Sequence, residues 1–280
     1  MAADLGVLQA FANQAGDAAG AFQRLSDVAL LLGLSTTRAS VAFLLVPLFT
    51  AEVVPATIRN ALFIALGLLG LMVQPAAPVV SFTGWQWAVL FGKEAFVGGA
   101  IGLLFAGMMW AFEAAGQLVD MKVGSSMAQV LDPLSGHQTS LTGAFLARLA
   151  SWVFMSAGGF MLMAGTLMES YGAWPVTSAW PGLAPGAVSL FEAETGRILR
   201  LALLAASPAL VLLYLVDGVL GLVNRFAQQL NVFSLSMSIK AVVAHAVLWM
   251  QVGLLVRLLA EDLLARPSLV MQALRHLLAP

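Results

Sequence analysis

The chain has 280 residues, 60% of them hydrophobic and 10% charged, with a formal net charge of −1. With a mean hydropathy of +0.92, this composition excludes a disordered chain and a basic nucleic-acid binder, and it leaves too few charges to clothe a soluble enzyme. Cysteine is absent, so there is no disulfide, thiolate metal site or cysteine nucleophile. The class that remains is an all-α, multi-spanning membrane protein built of helical hairpins.

Residues 1–27 are mixed and mildly polar, with no positive charge before Arg24. They predict an amphipathic or irregular lead-in, not a secretory signal peptide. Beyond them, gaps between charges mark the spans, since a spanning helix needs about 20 mainly apolar residues. The first helix is expected near 28–51, running across Arg38. Residues 60–92 carry no charge but are broken by Pro75 and Pro78. That predicts a helix near 57–73, a turn over 75–84 and a new helix near 86–118. Uncharged runs at 149–168, 201–216 and 241–256 place helices near 139–168, 198–222 and 232–260. Residues 261–280 are left as a C-terminal tail of one domain covering 1–280. No repeat of 20–50 residues is visible, and Lys and Arg are spread too evenly to set an orientation.

Several charges sit inside or beside the apolar runs: Lys93, Glu94, Glu113, Lys122, Asp217, Arg225 and Lys240. A charge at membrane depth is costly, so it pairs, faces water or marks a helix end. So many interruptions favour helices that face other subunits or an aqueous path.

Enzyme motifs are missing. There is no His-Glu-x-x-His, Gly-x-Ser-x-Gly, Gly-x-x-x-x-Gly-Lys or Gly-x-Gly-x-x-Gly, and His137, His245 and His276 have no ligand spacing. The helix near 86–118 has two readable faces. Gly98, Gly102 and Ala106 recur every fourth residue, a spacing that lets helix backbones approach closely. Glu113, Gln117 and Asp120 form a polar stripe, read either as a helix end emerging into solvent or as the wall of a water-lined constriction. The connection 119–138 is long and pliable. Lys122, Gly124, Ser125, Ser126, Met127, Asp132, Pro133 and Gly136 make it either a structured exposed loop or a movable plug. Between Asp217 and Lys240, Asn224, Arg225, Gln228, Gln229 and Asn231 place hydrogen-bonding side chains between two apolar helices, where they need partners or water.

Three blocks of residues carry a resemblance to a known family. The first is Arg38 with Pro47, Val54-Pro55 and Arg59. The second runs from Glu94 through Gly98, Gly102, Gly116 and Asp120 to Asp132-Pro133 and Gly158-Gly159. The third is Arg225…Gln229-Leu230-Asn231-Val232-Phe233 followed by Lys240. Together they resemble the T subunit of the type III secretion export apparatus, the SctT family, whose flagellar counterpart is FliR. Position 228 departs from the pattern, being Gln where the family commonly has proline. Ser170-Tyr171…Trp174-Pro175 looks more like the secretion branch than the flagellar one.

The resemblance implies a non-enzymatic, multi-pass subunit of the bacterial inner membrane without cofactor or metal. Its core would be raised toward the periplasm in a gate shared with R and S subunits. Residues 122–136 would map to the plug, and Gly98, Gly102, Arg225, Gln229, Asn231 and Lys240 to assembly contacts. The U switch protein, the V export protein, rod or needle subunits, membrane lipid and unfolded secretion substrates would be its partners, with no nucleic acid. The flagellar homologue is the first alternative. A secondary transporter lacks the expected inverted repeat, and an intramembrane hydrolase lacks a nucleophile–base pair.

Overall fold

Pro47 sets the end of the first helix. α1 spans Ala2–Leu44 and stops where the proline that follows holds Val46 in an extended conformation (φ −79°, ψ 124°). A 3-10 turn, Pro47–Phe49, leads toward α2, Ala56–Val73. The computed structural model describes residues 2–50, 53–74, 82–124, 140–178, 187–226 and 232–278, without the side chains of 2–19, 22–24, 187–188, 232–234 and 274–278. α3 covers Gly84–Val123. At its start the Thr83 N–H donates to Gln86 Oε1 at 2.8 Å, meeting one of the first-turn donors. At its end Gly124 takes φ +94°, a left-handed cap that glycine adopts freely. α4 is Leu141–Ser156, α5 Gly159–Ala173, α6 Ala187–Phe226 and α7 Val232–Leu278. No strand occurs among the described residues.

The all-α expectation holds, with differences in the boundaries. One helix was expected over 139–168. The chain makes two, α4 and α5, bent by 68°. Gly158 is the cause: its φ is +78°, and next to it Gly159 lies beneath the Phe154 ring, where a Cβ would come within 2.5 Å of Cδ2. The first helix ends at Leu44, short of the expected 51, because of Pro47, and it begins at Ala2, so residues 2–27 continue into it. α6 starts well before 198, and α7 carries residues 261–278 as helix. Pro208 sits inside α6 without ending it. It leaves the Leu204 carbonyl without its usual N–H, and the Ser207 hydroxyl donates to that oxygen at 3.0 Å.

Among the described residues, five helices are long and apolar enough to cross a membrane, or six if α4 and α5 count as one bent span. α3 is the central one. It packs against α1, α4, α6 and α7, which is why it is apolar on nearly every side: Val97, Ile101, Phe105, Met108, Met109 and Phe112 are all buried. Gly102 and Gly116 let neighbours touch its backbone. A Cβ at Gly102 would stand 2.6 Å from the Ala42 carbonyl oxygen of α1, and one at Gly116 would stand 2.5 Å from Gly143 Cα of α4. Where α1 turns into the 3-10 segment, Phe43 meets Phe49 edge-on at 5.1 Å and Phe160 at 5.6 Å.

Candidate functional site

Among the described residues, charged side chains gather in three places, each joining different helices. The first is fully buried. Arg38 of α1 forms a fork with Glu94 of α3, Nε to Oε2 at 2.6 Å and Nη2 to Oε1 at 2.9 Å. Lys93 Nζ meets Glu94 Oε1 at 2.9 Å. A fork on a carboxylate fixes direction as well as distance. Every nitrogen of the two cations finds a partner, as a buried charge requires. Arg38 reaches Ser170 Oγ at 3.2 Å and Trp174 O at 2.8 Å. Lys93 donates to the carbonyls of Pro175, Val176 and Ser178 at 2.9, 2.8 and 3.1 Å. The Arg38 guanidinium also lies 4.4 Å from the centre of the Tyr171 ring, and the Tyr171 hydroxyl donates to Ser35 O at 2.5 Å. The network clamps the chain after α5 onto α1 and α3.

The second cluster closes the far end of α3. Asp217 of α6 sits between two lysines: Lys122 Nζ is 2.6 Å from Oδ2 and Lys240 Nζ of α7 is 3.1 Å from Oδ1. Lys240 also donates to the Lys122 carbonyl at 3.3 Å, one of the last carbonyls of α3 and so in need of a donor. Lys122 lies 3.8 Å from the Tyr214 ring centre. Close by, Asp120 Oδ2 accepts from Ser140 Oγ at 2.6 Å and from the Thr142 N–H at 2.9 Å, while Oδ1 accepts from Thr142 Oγ1. Ser140 Oγ in turn accepts from the Gly143 N–H at 2.8 Å, as an N-cap does. The end of α3 and the start of α4 are therefore tied side by side.

The third cluster joins α6 to α7. Arg266 donates to Glu194 at 2.6 Å and to Asp262 at 2.8 Å, and Arg197 pairs with the same two carboxylates. A mostly apolar cavity of about 180 Å³, lined by Ile101, Leu104, Phe191 and Val270, opens beside Glu194 and Arg197.

The residues singled out from sequence fall as follows. Lys122 and Lys240, expected in a plug loop and an assembly contact, meet at Asp217. Gly124 closes α3. Ser125, Ser126, Met127, Asp132, Pro133 and Gly136 lie outside the described residues, as do Gln229 and Asn231. Glu113 and Gln117 make the upper part of the stripe, with Gln117 Nε2 3.4 Å from Glu113 Oε1 and Gln117 exposed. Asp120, the third member, is directed to α4 instead. Gly98 and Gly102 give their close approach to this chain's own α1. Arg225 is exposed. Lys93, noticed as an interruption, and Glu94, noticed also as the start of the second block, form the buried hub with Arg38. The ring of Glu194, Arg197, Asp262 and Arg266 escaped notice, because its members lie three to four residues apart only within α6 and within α7. The pairing across the two helices spans 65 and 72 positions.

Residues 29–265 match the family of bacterial export proteins, family 1. The chain belongs to that family. Yop proteins translocation protein T of Yersinia pestis is 34% identical over 210 residues, covering 74% of this chain and 79% of the relative. Surface presentation of antigens protein SpaR of Salmonella typhimurium is 30% identical, with 75% and 78% covered. Flagellar biosynthetic protein FliR of Bacillus subtilis is 29% identical, with 86% and 92% covered. The resemblance carried by the blocks at Arg38, Glu94–Asp120 and Arg225–Phe233 is borne out. Two of those blocks meet in space: Arg38 and Glu94 share the buried fork, and Gly98 lies against the Arg38 backbone.

Proposed function

We propose that the chain is the T-type subunit of a type III protein-export gate in a bacterial inner membrane, acting as wall and plug and not as an enzyme. The observation that carries the reading is the family match over 29–265, with a translocation protein T among the relatives. Identity of 34% to that protein against 29% to the flagellar FliR favours the secretion branch over the flagellar one. In this role the chain assembles with R and S subunits, contacts the U and V proteins and the rod or needle, and lets unfolded substrates pass.

The geometry supports residues 122–136 as the plug. Lys122 is held by Asp217, and Ser140 is held by Asp120. Both flanks of the segment are thereby anchored side by side at one end of the helix bundle. The Glu113–Gln117 stripe approaches the same end. Arg225, Gln229 and Asn231 serve as assembly contacts.

Two measurements test the reading. Co-expression with candidate R and S subunits, followed by native mass spectrometry, is expected to yield a hetero-oligomer with this chain in it. A stable chain that ignores both would overturn the assignment. In the assembled gate, a deletion within 125–136 is expected to make vesicles leaky to small ions. A deletion that assembles and leaks nothing would remove the plug.

A further inference from the structure

α6 and α7 are each far longer than a bilayer requires, and the register between them is fixed by four contacts. Glu194 meets Arg266 at 2.6 Å, Arg197 meets Asp262, the Ala205 carbonyl accepts from Gln251 Nε2 at 3.2 Å, and Asp217 meets Lys240 at 3.1 Å. In this antiparallel register Arg200 stands level with Arg257, and Asp217 with Lys240. Residues 201–216 and 241–256 fill the space between the two levels, and neither stretch holds an Asp, Glu, Lys or Arg. At 1.5 Å per residue each stretch rises about 25 Å, close to the ~30 Å hydrocarbon core of a bilayer.

The outer surface of this band is apolar. Leu203, Val211 and Leu215 on α6 and Val242, Trp249 and Leu254 on α7 are exposed, with Trp249 at 84% and midway between the borders. Three polar side chains inside the band bond to helix carbonyls: Ser207 Oγ to Leu204 O, His245 Nδ1 to Ala241 O at 2.7 Å and Gln251 Nε2 to Ala205 O. Such bonds to helix carbonyls lower the cost of a polar group in hydrocarbon, while Gln251 Oε1 has no partner among the described residues. Arg200 and Arg257 are exposed and form no ion pair among the described residues. Guanidinium groups at such a border reach outward and fork onto phosphate.

α3 shows which parts of the molecule stand outside this band. Gly107 lies against Ile198, and Lys122 against Asp217, so α3 runs parallel to α6. Its Glu94 end, with Arg38 and α1, therefore stands beyond the Arg200–Arg257 level, as does the ring of Glu194, Arg197, Asp262 and Arg266. Within the band, Glu113 and Gln117 belong to α3 and leave the outer side of α6 and α7 uncharged.

We propose that the outer face of α6 and α7 between the Arg200–Arg257 level and the Asp217–Lys240 level is the lipid-facing band of this protein, with Arg200 and Arg257 binding phospholipid phosphates at one border. The inference deepens the membrane placement in the function proposed above and does not need the plug.

The absence of cysteine makes the test clean. Single spin labels are introduced as Trp249→Cys, Val211→Cys and Arg200→Cys in the assembled complex, in vesicles of phosphatidylethanolamine and phosphatidylglycerol. Labels at 249 and 211 are expected to collide with oxygen several-fold more than with a water-soluble nickel chelate, and the label at 200 is expected to show the reverse. Access of the chelate to 249 would overturn the band in favour of an aqueous face. Shielding of 249 from both reagents would overturn it in favour of a covering protein subunit. In a second variant, Arg200→Leu with Arg257→Leu, the label at 249 is expected to leave the bilayer centre. An unchanged depth would overturn the phosphate role of the arginines. Failure of the wild-type chain to join R and S subunits sinks the export reading separately, since labels in the chain alone still report depth.

Discussion

Arg38 and Glu94, 56 positions apart, grip each other through two hydrogen bonds of 2.6 and 2.9 Å, and neither side chain touches solvent. Glu94 also holds Lys93, so two cations share one carboxylate in the interior. Removing one member of a buried ion pair strands the other. Glu94→Gln is therefore expected to destabilise the chain by about 3–5 kcal/mol. Arg38→Met is expected to do less damage, because Glu94 keeps Lys93. Thermal unfolding in detergent, read by circular dichroism, checks the order, and equal losses for the two variants would contradict it.

The glycines of α3 give a second contrast. A Cβ at Gly98 would collide with the Arg38 backbone of α1, whereas one at Gly165 on α5 would meet nothing within 4 Å. Gly98→Ala is expected to force α1 away and lose about 1–3 kcal/mol. Gly165→Ala is expected to be neutral or to stabilise by up to ~1 kcal/mol through helix propensity. The same unfolding assay serves, with Gly98→Ala at wild-type stability as the result that would count against the contact.

Asp217 tests the ion bridge at the end of α3. Among the described residues Asp217 is the one anion paired with both Lys122 and Lys240, two partly exposed cations, and Asp217→Asn removes it. The expected loss is about 1 kcal/mol, the upper range for exposed pairs. It is expected to appear as roughly fivefold faster amide exchange over 118–124 and little change at Arg38. Lys240→Met keeps the Lys122 pair and is expected to have a smaller effect. Unchanged exchange in both variants would mean that the bridge does not hold the helix end.

Asp120 is expected to matter more for stability than its half-exposed position suggests. It accepts from two hydroxyls and one backbone N–H at the start of α4. Asp120→Ala leaves those donors to find new partners, at about 1–3 kcal/mol. Asp120→Asn keeps an acceptor oxygen and is expected to fall in between. Proteolysis at the start of α4, compared across the three proteins, measures the difference.

Much of the architecture was legible because apolar runs bounded by charge are a long-range signal. α2 appears over 56–73 against an expected 57–73, and the start of α3 follows from the Pro75–Pro78 break. The bend at Gly158 was written only in the Gly158-Gly159 pair, a turn signal that a ruler built on gaps between charges passes over. The early start of α6 was hidden for the opposite reason. Glu192, Glu194, Arg197 and Arg200 look like a loop composition, yet Glu194 and Arg197 are neutralised by partners on α7. Lys93 and Glu94 showed as interruptions, but their partners Arg38 and the carbonyls after α5 are contacts that only folding creates. Lys122 and Lys240 were both noticed, and Asp217 too, without any sequence pattern that joins them.

α3 has a further consequence. It is an unbroken helix of 40 residues with no proline, while α6 and α7 contain Pro208 and Pro267. Such a rod is about 60 Å long, with Glu94 clamped near one end and Lys122 near the other. A displacement at either end meets no proline break along α3, and of its interior glycines, Gly98, Gly102 and Gly116 are packed against the backbones of neighbouring helices, so it arrives at the opposite end as a tilt. Its two neighbours, each with a missing backbone bond at a proline, can flex to accommodate that tilt. Mechanically, the molecule is a stiff lever held between two jointed struts.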